Sequence, residues 1–325
     1  MRPALSHILE ERQGGGSGVN RNVPGPVEAH ILGQLAPLVE AYAHWLPSGG
    51  SLRALEGGEG PAVVLLHGRG HAASMWFSYL TALARGRRVL ALDLPGFGLS
   101  SPPESPLRTA EDGVRFFTEP VEELLLTLKP GPVAVVGHSL GGLVAVELAL
   151  RGKVEVERLV LIDSMGLGPE MTPLARGFFR AGPERVARTL GRGLFDRLLP
   201  PPETPLGRRL GALGYELLAV PEGRPRAARA FDLLVPLVGG VFHRREQLAS
   251  VKQPVLLVWG EKEDTLPVSL AVEAAKRLPE GRLLRVVAGH SPHLERPEVV
   301  LPALKAFLGD SPVTLSGDPM DAPGE

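Results

Sequence analysis

Four short stretches of this chain carry residue types that can do nucleophilic chemistry. The densest is Gly137-His138-Ser139-Leu140-Gly141-Gly142, preceded by the β-branched run Val133 to Val136 and followed by helix formers from Leu143 to Leu150. A strand that turns at once into a helix holds Ser139 at its apex, and the flanking glycines leave room for the crossing backbone. A serine held there has an exposed hydroxyl on strained backbone, which is how a nucleophile is presented. A hydroxyl is weak and needs a base. The apolar run Leu283 to Val287 leads into Ala288-Gly289-His290-Ser291-Pro292-His293. His290 and His293 compete for that role, and His290, nearer the strand end, is favoured.

A carboxylate must orient the imidazole and stabilise its charged form. The run Pro254 to Trp259 ends in Gly260-Glu261-Lys262-Glu263-Asp264, where Glu263 and Asp264 stand side by side. Asp163, ending another strand, is a third candidate, and the acid stays open among them. Negative charge developing on an attacked carbonyl needs two backbone N–H donors. Leu140, opening its helix, supplies one; Arg69, in His67-Gly68-Arg69-Gly70, supplies the other. His71, beside that turn, and His138, inside the elbow, are candidates to touch substrate. No metal-ligand cluster is visible, and no cofactor is expected.

These residues need a scaffold. Ala62 to Leu66, Arg88 to Leu92, the strand before Ser139, Arg158 to Ile162, Val255 to Trp259 and Leu283 to Val287 read as six buried strands. Helices are expected at Ala72 to Arg85, Glu119 to Leu128, Leu143 to Leu150, Val268 to Leu278 and Pro297 to Leu308. The alternation predicts an α/β fold, a mostly parallel sheet with helices on both faces. Ser51 to Leu55 adds a short strand. The core is then 51–164 and 251–308. Residues 165–250 show no clear strand, only helical patches broken by proline and glycine, and read as a helical cap inserted after the fourth of the six strands. Its Phe178, Phe179, Leu198, Leu217, Phe231, Leu233 and Leu234 line an acyl pocket or form the cap's own core. Val27 to Trp45 has apolar residues at helical spacing and predicts an extra N-terminal helix within 27–50. Residues 1–26, with Gly14 to Gly18, and 309–325 are expected to be disordered.

Bulk properties narrow the class. A formal charge of −1 over 325 residues draws the chain neither to nucleic acid nor to an anionic membrane. With no cysteine, disulfides and thiolate metal sites are excluded. Met1 to Arg12 lacks the apolar core of a signal peptide, and no window has the apolar length of a membrane span. A cytoplasmic protein acting on a small molecule is expected; the oligomeric state is not readable.

Taken together, His67-Gly68, Asp93-Leu94-Pro95-Gly96-Phe97-Gly98-Leu99-Ser100, the stretch around Ser139 and Gly289-His290 with Glu295-Arg296-Pro297 resemble the α/β-hydrolase fold family in order and spacing, over roughly Ser51 to Leu308. The resemblance implies a serine hydrolase with His290 as base. It implies an acid three residues after the glycine that ends the penultimate strand and four before a proline, which is Glu263. The family's preference for aspartate points instead to Asp264. Serine at the elbow, where relatives that open epoxides or remove halide carry aspartate, favours acyl transfer to water. A carboxylic ester is the expected substrate. One alternative is a carbon–carbon bond hydrolase of ring-cleavage products, whose substrate carboxylate Arg69 or His71 would bind. Another is a non-catalytic binding protein on the same fold. From a different class, Gly68-Arg69-Gly70-His71-Ala72-Ala73 followed by Asp93 imitates a dinucleotide-binding fingerprint and would suit an NAD(P)-dependent oxidoreductase. That reading leaves the elbow and His290 without a role.

Overall fold

The computed structural model describes residues 23–36, 38–198, 205–219 and 225–309. The expected disordered N-terminal segment up to residue 22 and the tail from 310 lie outside the described residues, as does the side chain of Leu198.

Eight strands form one sheet: β1 (Val39–Trp45), β2 (Ser51–Gly57), β3 (Ala62–Leu66), β4 (Arg88–Leu92), β5 (Val133–His138), β6 (Val156–Ile162), β7 (Val255–Gly260) and β8 (Gly281–Val286). Their order is β1-β2-β4-β3-β5-β6-β7-β8. The two β2 pairings, with β1 and with β4, are antiparallel and all others are parallel. The central strands β3, β4 and β5 are almost wholly buried and read as continuous apolar runs, because helices cover both of their faces.

Side-chain alternation divides the core in two. Val64, Leu90, Val135, Leu161 and Leu257 face one layer, which includes α3 (Ala110–Leu128), α4 (Leu140–Arg151) and α9 (Ser269–Arg277). Val63, Val89, Val136, Val160 and Val258 face the other, which includes α1 (Pro26–Leu35), α2 (Phe77–Leu83) and α11 (Pro297–Leu308). A short 3-10 turn, Ala73–Trp76, precedes α2, so the helix expected from Ala72 starts late. Helix α3 starts earlier than its apolar pattern suggested, at a capping box in which Thr109 and Asp112 satisfy each other's backbone N–H groups.

Residues 165–250 hold α5 (Pro173–Ala181), α6 (Pro183–Leu198, kinked at Gly191), α7 (Pro205–Ala219) and α8 (Pro225–Leu234), with no strand among the described residues. The cap's apolar side chains divide their roles. Leu217, Phe231 and Leu234 are buried in the two core layers, whereas Phe179 packs at the edge of one. No helix among the described residues is long and apolar enough to cross a membrane.

The N-terminal element differs from expectation. The helix covers only Pro26–Leu35, and Val39–Trp45 is β1, paired with β2 from Val39↔Gly57 to Trp45↔Ser51. Pro37 explains the break: the residue before a proline avoids helical geometry, and Ala36 is extended at φ −66°, ψ 142°. The apolar residues beyond it recur at a spacing a helix would share, but they serve an edge strand.

Candidate active site

Ser139 closes β5 and precedes α4. Its backbone sits at φ 51°, ψ −113°, a region that a residue with a Cβ rarely adopts. Three glycines make the turn possible. A methyl group on Gly137 would overlap the Gly141 carbonyl, one on Gly141 the Leu66 carbonyl, and one on Gly142 the Ser164 hydroxyl. The Ser139 carbonyl accepts N–H bonds from Gly142 at 3.0 Å and Met165 at 3.0 Å, which pins the elbow to α4 and to the loop after β6.

His290 lies in the loop after β8. Its Nε2 is 3.1 Å from Ser139 Oγ, and its Nδ1 contacts Glu263 Oε2 in a short hydrogen bond. Because a carboxylate accepts, Nδ1 carries the proton and Nε2 offers its lone pair to the Ser139 hydroxyl. Glu263 is nearly fully buried, and its other oxygen accepts the N–H groups of Thr265 and, at 3.1 Å, Leu266. Both oxygens are therefore fixed. Burial alone would push the His290 imidazole down. Glu263, and secondarily Asp163 and Asp264, reverse this and hold it above the ordinary histidine value.

The other two acids stand differently. Asp264 is exposed; its side chain lies 3.4 Å from Thr265 Oγ1, and the geometry does not bring it to His290. Asp163, at the end of β6, is fully buried and strained at φ 37°. Its Oδ1 accepts the Gly260 N–H at 3.0 Å, while Oδ2 has no partner. Burial drives its pKa well above the carboxylate range; positive charge on His290 opposes this and Glu263 adds to it. Ligand atoms of Asp163, Glu263 and His290 lie within 4.8 Å of one another, a spacing a metal ion could use. Here Ser139 and Glu263 already engage both nitrogens of the imidazole.

The turn after β3 comes next. His71 N–H donates to Gly68 O at 3.2 Å, with Gly70 at φ 78°, so the chain reverses over Arg69. Gly68 lies against the elbow, where an added Cβ would be 2.7 Å from His138 Nδ1 and 3.3 Å from Ser139 Cβ. That close approach brings the Arg69 turn beside the start of α4, where Leu140 has no intrahelical acceptor for its N–H. His67 ties the turn down. Its Nε2 accepts the Leu94 N–H at 2.9 Å, so its Nδ1 is the donor to Gly68 O at 2.7 Å. Nothing in residue spacing marked His67 as this clamp, although it lay inside the motif.

The histidines assigned to substrate differ in placement. His138 is buried: its Nε2 donates to the His290 carbonyl at 2.8 Å, and its ring packs 4.6 Å from His293 and 6.0 Å from His71. Burial, then the neighbouring imidazoles, hold His138 well below the ordinary histidine value. Through that bond it supports the His290 backbone. His293 falls in a four-residue helical turn, α10 (Pro292–Glu295), packed 4.7 Å from Trp76, and belongs to the core. His71 is partly exposed.

The dinucleotide reading fails on geometry. Asp93 is fully buried, accepting the N–H groups of Ala73 at 2.7 Å and Leu99 at 2.8 Å and pairing with Arg53. No carboxylate oxygen remains for a ribose.

Comparisons with known proteins place this geometry. A profile of the alpha/beta hydrolase family matches residues 63–303. The chain is 33% identical over 254 residues to a pimeloyl-[acyl-carrier protein] methyl ester esterase of Aromatoleum aromaticum, covering 73% of this chain and 94% of that protein. It is 30% identical over 320 residues to the polyketide synthase ThaQ of Burkholderia thailandensis, covering 95% of this chain but only 15% of that much longer protein. Among solved structures it is similar to the 2-hydroxy-6-oxo-6-phenylhexa-2,4-dienoate hydrolase of Rhodococcus sp. strain RHA1, with TM-score 0.69, 26% identity, and coverage of 83% and 99% of the two chains. The chain belongs to the alpha/beta hydrolase family, and it is a hydrolase.

Proposed function

We propose that this protein is a serine esterase whose triad is Ser139, His290 and Glu263. The observation that carries the reading is the continuous chain of contacts from Glu263 through the His290 ring to Ser139 Oγ. Ser139 Oγ attacks the acyl carbonyl as its proton passes to His290 Nε2. Glu263 holds Nδ1–H and balances the imidazolium. The N–H groups of Leu140 and Arg69 receive the oxyanion. As the tetrahedral adduct collapses, His290 Nε2–H protonates the departing alkoxide, leaving an acyl-enzyme. Water then enters, gives its proton to His290, and releases the acid by the same route. No cofactor takes part in these steps.

A carboxylic ester is favoured over a carbon–carbon bond. The likeness to the methyl ester esterase covers 94% of that protein at 33% identity, whereas the dienoate hydrolase is 26% identical. The test is Ser139→Ala. Hydrolysis of p-nitrophenyl acetate should fall by at least ~10³-fold with the far-UV spectrum unchanged. Retained turnover would refute the assignment. A vinylogous 1,5-diketone acid turned over faster than simple esters would refute the choice of bond.

A further inference from the structure

The turn that carries Arg69 is roofed by the cap, and each of the cap helices α5 to α8 places a side chain on it. Phe179 of α5 and Phe231 of α8 present their rings to the Arg69 guanidinium, at 5.5 Å and 5.0 Å. Glu184, in the first turn of α6, accepts from Arg69 Nη2 at 3.0 Å. Leu218 of α7 packs over Gly70, where an added Cβ would lie 2.7 Å from its Cδ2.

The Arg69 side chain is almost fully buried, and Glu184 supplies its counter-charge. An ion pair taken out of water and then broken from one side leaves the other charge unsolvated. Arg69 therefore goes where Glu184 holds it, while the two rings limit its sideways movement. The pair is not built for stability alone. Arg69 Nε and Glu184 Oε1 are both buried without a partner, so one hydrogen bond joins side chains that could share two. Buried polar atoms left unsatisfied are a cost that a purely structural contact does not explain. The other end of the same residue lies in the turn beside Ser139, where the esterase reading has its backbone N–H receive the oxyanion.

Resting on that reading, we infer that Glu184 is a positioning residue: acting through the Arg69 side chain, it holds the Arg69 N–H where the oxyanion forms, so that cap helix α6 sets the geometry of the oxyanion hole. The interaction serves the tetrahedral adduct and not the bound ester, so its loss falls on kcat and spares KM.

The experiment measures p-nitrophenyl acetate hydrolysis by wild type, Glu184→Gln, Arg69→Met and the double variant. Glu184→Gln should lower kcat by about tenfold with KM changed less than about twofold, a loosened donor costing less than a missing one. An alkyl trifluoromethyl ketone, whose adduct with Ser139 carries the oxyanion, should bind more weakly by the same factor. Arg69→Met should also lower kcat, and adding Glu184→Gln to it should cost nothing more, because the carboxylate acts only through the arginine. If Glu184→Gln does not fold, Glu184→Asp takes its place: the charge stays on a shorter stem, and kcat should fall by less while KM holds. An unchanged kcat, a loss confined to KM, or a Glu184→Gln cost that persists beside Arg69→Met overturns the inference and leaves the esterase reading intact. If wild type hydrolyses no ester, that reading fails, and amide exchange decides whether Glu184 holds the turn. The His71 N–H, which closes the turn on the Gly68 carbonyl, should exchange faster in Glu184→Gln; unchanged exchange overturns the inference.

Discussion

Glu263 and Asp264 are neighbours with the same charge, yet only one reaches the histidine. The strand β7 ends at Gly260, and the loop that follows turns Glu263 inward, where two backbone N–H groups fix one oxygen and His290 takes the other. Asp264 is left outside. The residues alone left the acid open; the spacing implied by the family resemblance pointed to Glu263, and the family's preference for aspartate pulled toward Asp264. Only the loop's backbone path separates them. The expected outcome is that Glu263→Gln lowers kcat by up to ~10⁴-fold, whereas Asp264→Asn changes it little. The pH profile gives a second check. His290 must be neutral to accept a proton, and Glu263 holds its pKa above the ordinary value, so kcat/KM should fall as pH drops through a point above ~6.5. Removing the Glu263 charge should move that acid limb to lower pH. Asp163 was visible as a carboxylate ending a strand, but its burial against the same histidine follows from β6 lying beside β7.

The elements that carry the chemistry were legible because their constraints are local. The elbow needs an apolar strand, glycines where backbones cross, and a helix at once; all three are written consecutively between Val133 and Leu150. Gly141→Ala tests this. The added methyl meets the Leu66 carbonyl, which cannot retreat without disturbing β3. The urea midpoint should fall by the equivalent of about 1–3 kcal/mol, and turnover should fall with it. β1 was not legible, because an edge strand with one partner carries a weaker pattern than a buried one. Its burial is patchy, and the same apolar residues suit a helix. The cap helices were located by their prolines and glycines. Their packing was not, since Leu217 and Phe231 join opposite layers of the core through contacts remote in sequence.

Across the whole chain, the N-terminal helix connects parts that its sequence does not hint at. Glu28 of α1 is buried, and its carboxylate accepts from Arg53 at 2.5 Å and from Ser74 at 2.7 Å. Arg53 also donates to Asp93 at 3.0 Å. Burial works against the Arg53 charge, but Asp93 and Glu28 more than compensate and keep it protonated. At the start of the same helix, the Glu216 carboxylate of α7 accepts the N–H groups of Val27 at 2.9 Å and Glu28 at 3.0 Å. A cap side chain thereby serves as the N-cap of a core helix. Glu216→Ala should cost about 0.5–2 kcal/mol. It should also speed amide exchange in α1 and α7 together while leaving β5 protected, as hydrogen-exchange mass spectrometry would read. Exchange confined to α1 would show that the two are not coupled.

The backbone strain at Ser139 has a consequence for how this chain can change over time. A φ of 51° is tolerated far better by glycine than by any residue with a Cβ. The position proposed as the nucleophile is thus one where the fold itself would prefer a different residue. Selection for stability and selection for turnover pull in opposite directions there. In a lineage released from the second demand, the nucleophile is the residue whose loss the fold would welcome, while His67, Glu28 and Arg53, which hold the scaffold, would persist.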